Sequence, residues 1–417
     1  MRLIPVMLAL LLALSPGAVA MQASAPSTLA SSAPAPAQNG NDTAGPETSN
    51  NTTAVMTLGP DPARSAFDTP SLALGSSLAM DRDGFRTQLS VNALDAQLAD
   101  TDSVERKKQI LNRYRYHIEN RIISLKATDR QATQAFSNGT ISESEYLRTL
   151  GRIDAEAEQV RKVIKAMEAR AENINSFNLE NEAHTLEGKL ATIEGPVRDR
   201  ISRVVRGEAS PTKVYVSTAE TGIVLSTIDG NTYVREIVRQ DHRDPSATPQ
   251  ISFLEAPDAI LANYPWVRAN ALGSNTGSYG STNIFSLAVT HQRGQLVAYI
   301  DGGTEKIFKE VHYKQLFGGH SVPPGPAVTN TSESVANSSE NVTLAVNRTY
   351  PGGPLRVKLT NATGAPLQGG VSIAGEPVGR TDPNGILWAL GPAGQFRVSA
   401  THEDTTVNVT ATPVEQS

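Results

Sequence analysis

Residues 150–174 read LGRIDAEAEQVRKVIKAMEARAENI. Leu150, Ile153, Ala157, Val160, Ile164, Met167, Ala171 and Ile174 advance by alternating steps of three and four. On an α-helix that spacing keeps one narrow apolar stripe turned toward a partner helix. Upstream, Leu111, Ile118, Leu125 and Ala132 supply a matching but poorer stripe, with Tyr114 and Ile122 beside it. Between the two lie Asn138-Gly139-Thr140 and then Ser142 with Glu145 three residues on, a turn followed by a capping-box start. The pattern predicts an antiparallel helical hairpin with long arms, a coiled-coil block over 81–206. That block holds 21 basic and 20 acidic residues, but exposed i,i+4 ion pairs give only ~0.2–0.5 kcal/mol each. Burying the six large stripe residues of the second arm is worth on the order of 10 kcal/mol before entropy. The stripe decides the block. Two shorter helical pieces follow, one through Leu179, Leu186, Leu190 and Ile193, the other opening at Gly195-Pro196 and closing at Gly207.

Past Gly207 the period changes. Residues 213–218, 223–228 and 232–239 are β-branched runs, and Asp229-Gly230-Asn231 is a tight hairpin signal between the last two. A helix is expected near 257–264, ahead of Pro265-Trp266, and 284–291 and 296–301 form another hairpin across Gln292-Arg293-Gly294-Gln295. Residues 208–317 therefore read as an α+β domain with an antiparallel sheet. In residues 340–412 the apolar positions alternate (Val342, Leu344, Val346; Leu355, Val357, Leu359; Phe396, Val398; Val407, Val409) around the turn Thr381-Asp382-Pro383-Asn384-Gly385. That is the pattern of a small β-sandwich. The fold class is a multidomain α + β chain.

The flanks read differently. Residues 1–20, MRLIPVMLALLLALSPGAVA, have one Arg, an apolar run and an A-x-A-like end, which predicts a secretory signal cleaved after Ala20. The apolar run is too short to span ~30 Å of hydrocarbon, which takes about 20 residues, so a membrane is expected only if this segment is retained. Residues 21–80 and 318–339 are rich in Ser, Thr, Pro, Asn and Gly without apolar period, and read as a disordered spacer and a linker. The 417 residues include no cysteine, and 37 basic against 42 acidic residues give a net charge of −5. These figures exclude a disulfide scaffold, a thiolate site and a nucleic-acid binder driven by positive charge.

Catalytic patterns are weak. Seven histidines (His117, His184, His242, His291, His312, His320, His402) make no ligand pair of zinc spacing. Asp241-His242-Arg243-Asp244 concentrates groups that could serve a metal-assisted hydrolase, but in a proline-bounded loop a solvated cluster is the simpler reading. Ser210-Pro211-Thr212-Lys213 matches the S-x-x-K of acyl-transfer enzymes, yet it enters a strand and not a helix. Gly277-Ser278-Tyr279-Gly280-Ser281 reads as a flexible loop, Asp81-Arg82-Asp83-Gly84 as a turn or helix start, and Trp266 and Trp388 as core residues rather than a sugar platform. No cofactor, metal or catalytic residue is expected.

One signal is statistical. Of 24 asparagines, 13 lie between residues 81 and 320, and only Asn138 of these begins an N-x-[ST] sequon. Of the other 11, nine begin one: Asn41, Asn50, Asn51, Asn330, Asn337, Asn341, Asn347, Asn361 and Asn408. Near-saturation in an exported chain predicts N-glycosylation.

Through Gly364-Ala365-Pro366-Leu367, Val371-Ser372-Ile373 and Thr381-Asp382-Pro383-Asn384-Gly385 the last block resembles immunoglobulin-like and carboxypeptidase-regulatory-like β-sandwiches of surface proteins. Through Glu255-Ala256, Phe285-Ser286-Leu287-Ala288-Val289 and residues 294–304 the middle block is similar to PepSY domains, which implies holding or inhibiting a secreted peptidase. The overall plan resembles secreted haloarchaeal proteins. The expected function is a non-catalytic secreted or cell-surface protein, structural or binding a protein or envelope partner, with homo-oligomerisation through the helical block open. A PepSY-like peptidase regulator and a hydrolase using the 241–244 loop are the alternatives.

Overall fold

The hairpin forms as its spacing demands. In the computed structural model, which describes residues 55–59, 62–316, 334–339 and 341–414, helix α1 (Leu74–Ala99) is followed by α2 (Val104–Ser137) and α3 (Glu143–Ala171), the two arms of the hairpin. Ser142 Oγ accepts from Glu145 N at 3.2 Å and caps α3. All eight residues of the 150–174 stripe are buried; from Ile153 onward they share a core with Leu111, Ile118, Ile122 and Leu125 of α2, while Leu150 packs with Phe136 at the hairpin tip. The signal segment, most of the spacer and most of the linker lie outside the described residues.

Two shorter helices complete this layer. α4 (Glu180–Leu190) buries Leu186 and Leu190, and α5 (Pro196–Arg206) starts on proline and ends at Gly207 with φ 78°, the left-handed conformation glycine adopts freely. The structure corrects the block's start. Helix α1 begins at Leu74, so Asp81-Arg82-Asp83-Gly84 lies inside it, and the hairpin is joined by a third long helix packed chiefly on α3.

The middle domain is one eight-stranded sheet in the order β1-β2-β3-β4-β8-β7-β6-β5, antiparallel throughout. Its strands are β1 (Arg64–Asp68), β2 (Val214–Ala219), β3 (Gly222–Asp229), β4 (Thr232–Arg239), β5 (Ala271–Ser278), β6 (Ile284–His291), β7 (Gly294–Asp301) and β8 (Lys306–Gln315). Between β4 and β5 run α6 (Ala256–Ala262) and α7 (Pro265–Ala269). Both faces are covered. Val214, Val216, Ile223, Leu225, Val234 and Val238 pack under the tip of the hairpin and α5. On the other face α6 and α7 cover Leu287, Val289, Leu296, Ala298 and Ile300. Side chains alternate across a strand, so a sheet buried on both faces reads as an almost continuous apolar run. That accounts for the unbroken burial of β2, β3 and β4.

Residues expected as spacer supply part of this sheet. β1 pairs with β2, from Arg64 opposite Thr218 to Asp68 opposite Val214. Arg64 also clamps the hairpin tip: it donates to the carbonyls of Phe136 and Ile141, each at 3.0 Å, pairs with Glu143 at 3.1 Å, and lies over the Phe136 ring. Residues 55–58 cross the opposite face, where Arg235 Nη2 donates to Met56 O at 2.7 Å and Arg239 to Thr57 O at 2.7 Å. The expected spacer of 21–80 is therefore folded in its last part, because the buried Arg235 and the half-buried Arg239 satisfy its backbone.

The last domain is a sandwich of two four-stranded sheets, β14-β11-β10-β9 and β13-β12-β15-β16. These are β9 (Ser334–Ser339), β10 (Val342–Asn347), β11 (Pro354–Asn361), β12 (Gly370–Ile373), β13 (Glu376–Arg380), β14 (Ile386–Leu390), β15 (Phe396–His402) and β16 (Thr405–Ala411). The alternating residues read from the sequence form its core. β9 falls inside the expected linker 318–339, so the domain begins earlier than 340. A loop of the sandwich docks on the sheet: Ser226 Oγ and Tyr233 Oη donate to Gly352 O at 2.6 and 3.1 Å. Gly352 has φ 71°, and a Cβ there would lie 2.2 Å from the Tyr215 ring.

Replacing Arg64 with Ala is expected to lower the urea midpoint by the equivalent of about 2 kcal/mol, since three charge-assisted bonds and a ring contact go together. The exposed control Arg113→Ala should stay within about 0.5 kcal/mol.

Candidate functional site

Where β4 meets β8, four charged side chains are buried in sequence pairs. Arg235 and Glu236 are neighbours on β4, and Lys309 and Glu310 on β8, all at most 4% exposed. Adjacent residues point to opposite faces, so Glu236 and Lys309 face the helices while Arg235 and Glu310 face the other way.

On the helical face the acceptors and donors come from five elements. Arg198 of α5, 1% exposed, pairs with Asp129 of α2 at 2.7 Å and reaches Glu236 at 3.5 Å. Val197 N donates to Glu236 at 3.0 Å, and Gly195 N donates to Asp154 of α3 at 3.0 Å. A Cβ on Gly195 would lie 2.1 Å from the Glu236 carboxylate, so a larger residue there would push that carboxylate from its bonds. Burial, with Glu236 and Glu194 nearby, raises the Asp154 carboxyl well above the usual carboxylate range, against the bond from Gly195. Lys309 Nζ donates to the carbonyls of Ala191 and Glu194, each at 2.7 Å, and burial lowers its pKa although Glu236 and Glu194 oppose that.

Beside this network opens a cleft of about 230 Å³ between α3, α4 and strands β7 and β8. Arg161 lines one wall, ion-paired to Glu194 and, at 3.3 Å, to Glu187. Tyr279, Tyr299 and Tyr313 line the rest, with Lys309 at its base, 5.1 Å from the Tyr299 ring centroid. The wall holding Tyr279 is the 277–281 stretch expected as a flexible loop. Its first two residues end β5, and the rest is pinned on α4: Ser281 N donates to Thr185 Oγ1 at 2.9 Å and Asn181 Nδ2 to Ser281 Oγ at 3.1 Å. No serine, threonine, histidine or cysteine lines the cleft. Its groups suit the recognition of a small polar molecule by aromatic faces and paired charges.

On the opposite face Glu310 accepts from Arg235 at 2.9 Å, Tyr264 Oη at 2.6 Å and Met56 N at 2.8 Å, with His312 Nε2 at 3.1 Å. Burial would raise the Glu310 carboxyl, but His312, Arg235 and Tyr264 outweigh it and hold it down at about 2. Burial lowers the pKa of His312 itself, although Glu310 opposes that.

The loop at 241–244 is engaged with its own surroundings. Arg239 grips Asp241 through two nitrogens, His242 Nδ1 meets Ile307 O at 2.6 Å, and Asp244 accepts from Ser246 N and Oγ. Among the described residues no group of three His, Asp or Glu is placed to hold a metal. Ser210 and Lys213 lie in an extended segment ahead of β2, and Trp266 is buried edge-on to His291. Trp388 is half-buried where the sandwich meets the sheet. Asp382 accepts from the backbone of Asn384 and Ile386, closing a turn.

Asn41, Asn50, Asn51 and Asn330, and the cleavage position at Ala20, lie outside the described residues. Asn138 caps the end of α2 at the exposed hairpin tip. Asn337, Asn341 and Asn408 are exposed, and Asn347 and Asn361 half-buried. Asn337 and Asn408 lie side by side, Asn337 Nδ2 donating to Asn408 O at 2.9 Å. Asn341, Asn361 and Asn408 accept bonds through Oδ1. The cleft residues were not singled out in the sequence, because Arg161, Glu194, Tyr279, Tyr299 and Lys309 come from distant elements and share no motif.

These domains define a multidomain α+β chain closed by a fibronectin-III-like sandwich: residues 333–409 match the archaeal fibronectin-III type-like domain. The chain belongs to the family described as Domain of unknown function (DUF7096), whose model matches residues 1–210. Residues 214–317 match the Family of unknown function (DUF7094), and the PepSY resemblance of that stretch finds no support there. Among solved structures, "Structure of surface layer protein SbsC, domains 1-6" matches at 8% identity over 82% of this chain and 73% of that one, with a TM-score of 0.12. A likeness that slight carries no argument. No curated protein matches the chain.

Asn in place of Asp154 keeps an acceptor for Gly195 N without a buried charge. A carboxyl whose folded pKa is raised binds its proton more tightly when folded, so its stability is full below the unfolded value near ~4 and is lost as pH rises. Asp154→Asn should therefore match the parent near pH 4 and be the more stable protein at pH 8, measured by urea unfolding at both.

Proposed function

We propose that the protein is a non-catalytic component of the archaeal cell exterior that binds a partner or builds part of the envelope, and that it carries N-linked glycans on its sandwich and spacers. The observation behind this reading is the distribution of sequons. In the sandwich they fall on outward or edge positions of β9, β10, β11 and β16 and on the β9–β10 turn, where a bulky polar group meets solvent rather than core. The secretory pattern of residues 1–20 agrees with it. Support also comes from the 241–244 loop, whose reactive groups are consumed by local bonds. Among the described residues no helix is long and apolar enough to cross a membrane, which fits attachment through partners. The small cleft at Arg161, Tyr299 and Lys309 would then serve recognition.

Intact-mass and glycopeptide analysis of material from the cells that make it tests the reading. The expected result is a chain beginning at Met21 with glycan mass on Asn337, Asn408 or their neighbours. An unprocessed, carbohydrate-free chain in the cytosol contradicts it.

A further inference from the structure

Helix α1 is apolar on two sides. Met80 and Leu94 are buried against the bundle. At 100° per residue, Leu74, Leu78, Phe85 and Leu89 fall within an arc of ~60° on the opposite side, and there they are 69, 59, 65 and 51% exposed. Isolated exposed apolar residues need no explanation, but four large ones in register along ~22 Å of one helix form a stripe. Nothing in the described chain covers it.

We propose that this stripe is the contact between two copies of the chain, paired with their α1 helices parallel about a two-fold axis. The proposal goes beyond the surface role above and does not rest on it. The charges at the middle of the stripe select the occupant and its direction. Asp81 and Arg82 are both exposed and flank the gap between Leu78 and Phe85 on opposite sides. Arg82 comes only within 3.9 Å of Asp83 in its own chain. A two-fold axis along the helix sets each flank against the partner's other flank, so Asp81 meets the partner's Arg82 twice. An antiparallel pairing sets Asp81 against Asp81 and Arg82 against Arg82, which is repulsive. Parallel pairing also stacks like on like in the seam, Leu74, Leu78, Phe85 and Leu89 each meeting its own counterpart. Two such stripes bury on the order of 800 Å² of apolar surface, and their flanks bring the interface to the ~1,200 Å² at which specific pairs begin. A membrane surface fits less well, since Asp81 borders the stripe on the side opposite Arg82 and Arg86.

The test is sedimentation equilibrium of the full-length chain in the form its cells leave it. A dimer in the micromolar range is expected. Phe85→Ser should weaken it at least about tenfold without moving the unfolding midpoint measured at concentrations low enough for the chain to be monomeric, as befits an exposed residue. Asp81→Arg should weaken it too, and the double exchange Asp81→Arg with Arg82→Asp should restore it, which a misfolded variant would not do. Because the chain has no cysteine, Leu78→Cys alone should form a covalent dimer with a short thiol cross-linker. A monomer at every concentration overturns the proposal, as does a dimer indifferent to Phe85→Ser. A monomer that instead sediments with phosphatidylglycerol vesicles through the same residues overturns it in favour of a lipid surface. Cross-linking only between mixed Leu78→Cys and Phe85→Cys chains overturns the parallel arrangement.

Discussion

The constraint on which the structure depends is the burial of opposite charges at the β4–β8 seam. Arg235-Glu236 and Lys309-Glu310 each send one sign to each face of the sheet. Every one of these charges must find a partner from the layer above or below, because an unpaired ion in that environment costs several kcal/mol. On one face the partners are Arg198, the α5 N-terminus and the backbone of 191–194. On the other they are Tyr264 and the backbone of Met56. A one-residue slip of either strand would exchange the faces of its own two charges and take both from their partners. The apolar clusters supply the bulk of the cohesion, while the charges fix which residues face which layer.

That arrangement explains what could be read in the sequence. Where one physical signal dominates, sequence and structure agree: the three-four stripe of α3, the N-cap at Ser142, the proline and glycine that bracket α5, and the turn at Gly230. Where burial depends on distant partners, they diverge. β8, with KIFKEVHYKQ, looks too polar for a central strand, yet six of its residues in a row are buried because their partners lie elsewhere in the chain. β5, ALGSNTGS, is a largely exposed edge strand with no apolar face to announce it. Residues 55–59 and 62–68 read as spacer because their cohesion comes from Arg235, Arg239 and β2 rather than from an apolar period of their own. The cleft was illegible for the same reason, as its residues converge only after four elements have packed. Sequons are local by nature, so their positions were legible from the start, whereas their exposure was not.

The domains divide the work accordingly. The sheet is a rigid plate, held by the helical layer on one side and by α6, α7, residues 55–58 and the sandwich loop on the other. Gly352 locks the sandwich to the plate through Ser226 and Tyr233, which orients a sequon-bearing domain relative to the helices. The long helices project one free apolar face, the stripe of α1.

The direct test of the central claim is a double-mutant cycle across the seam, with Arg235→Gln, Glu310→Gln and the pair together, followed by chemical unfolding. If the buried charges fix the sheet, each single change costs about 3–5 kcal/mol because it leaves its partner unpaired, and the double costs far less than their sum. Single losses below about 1 kcal/mol, or losses that simply add, would contradict the account.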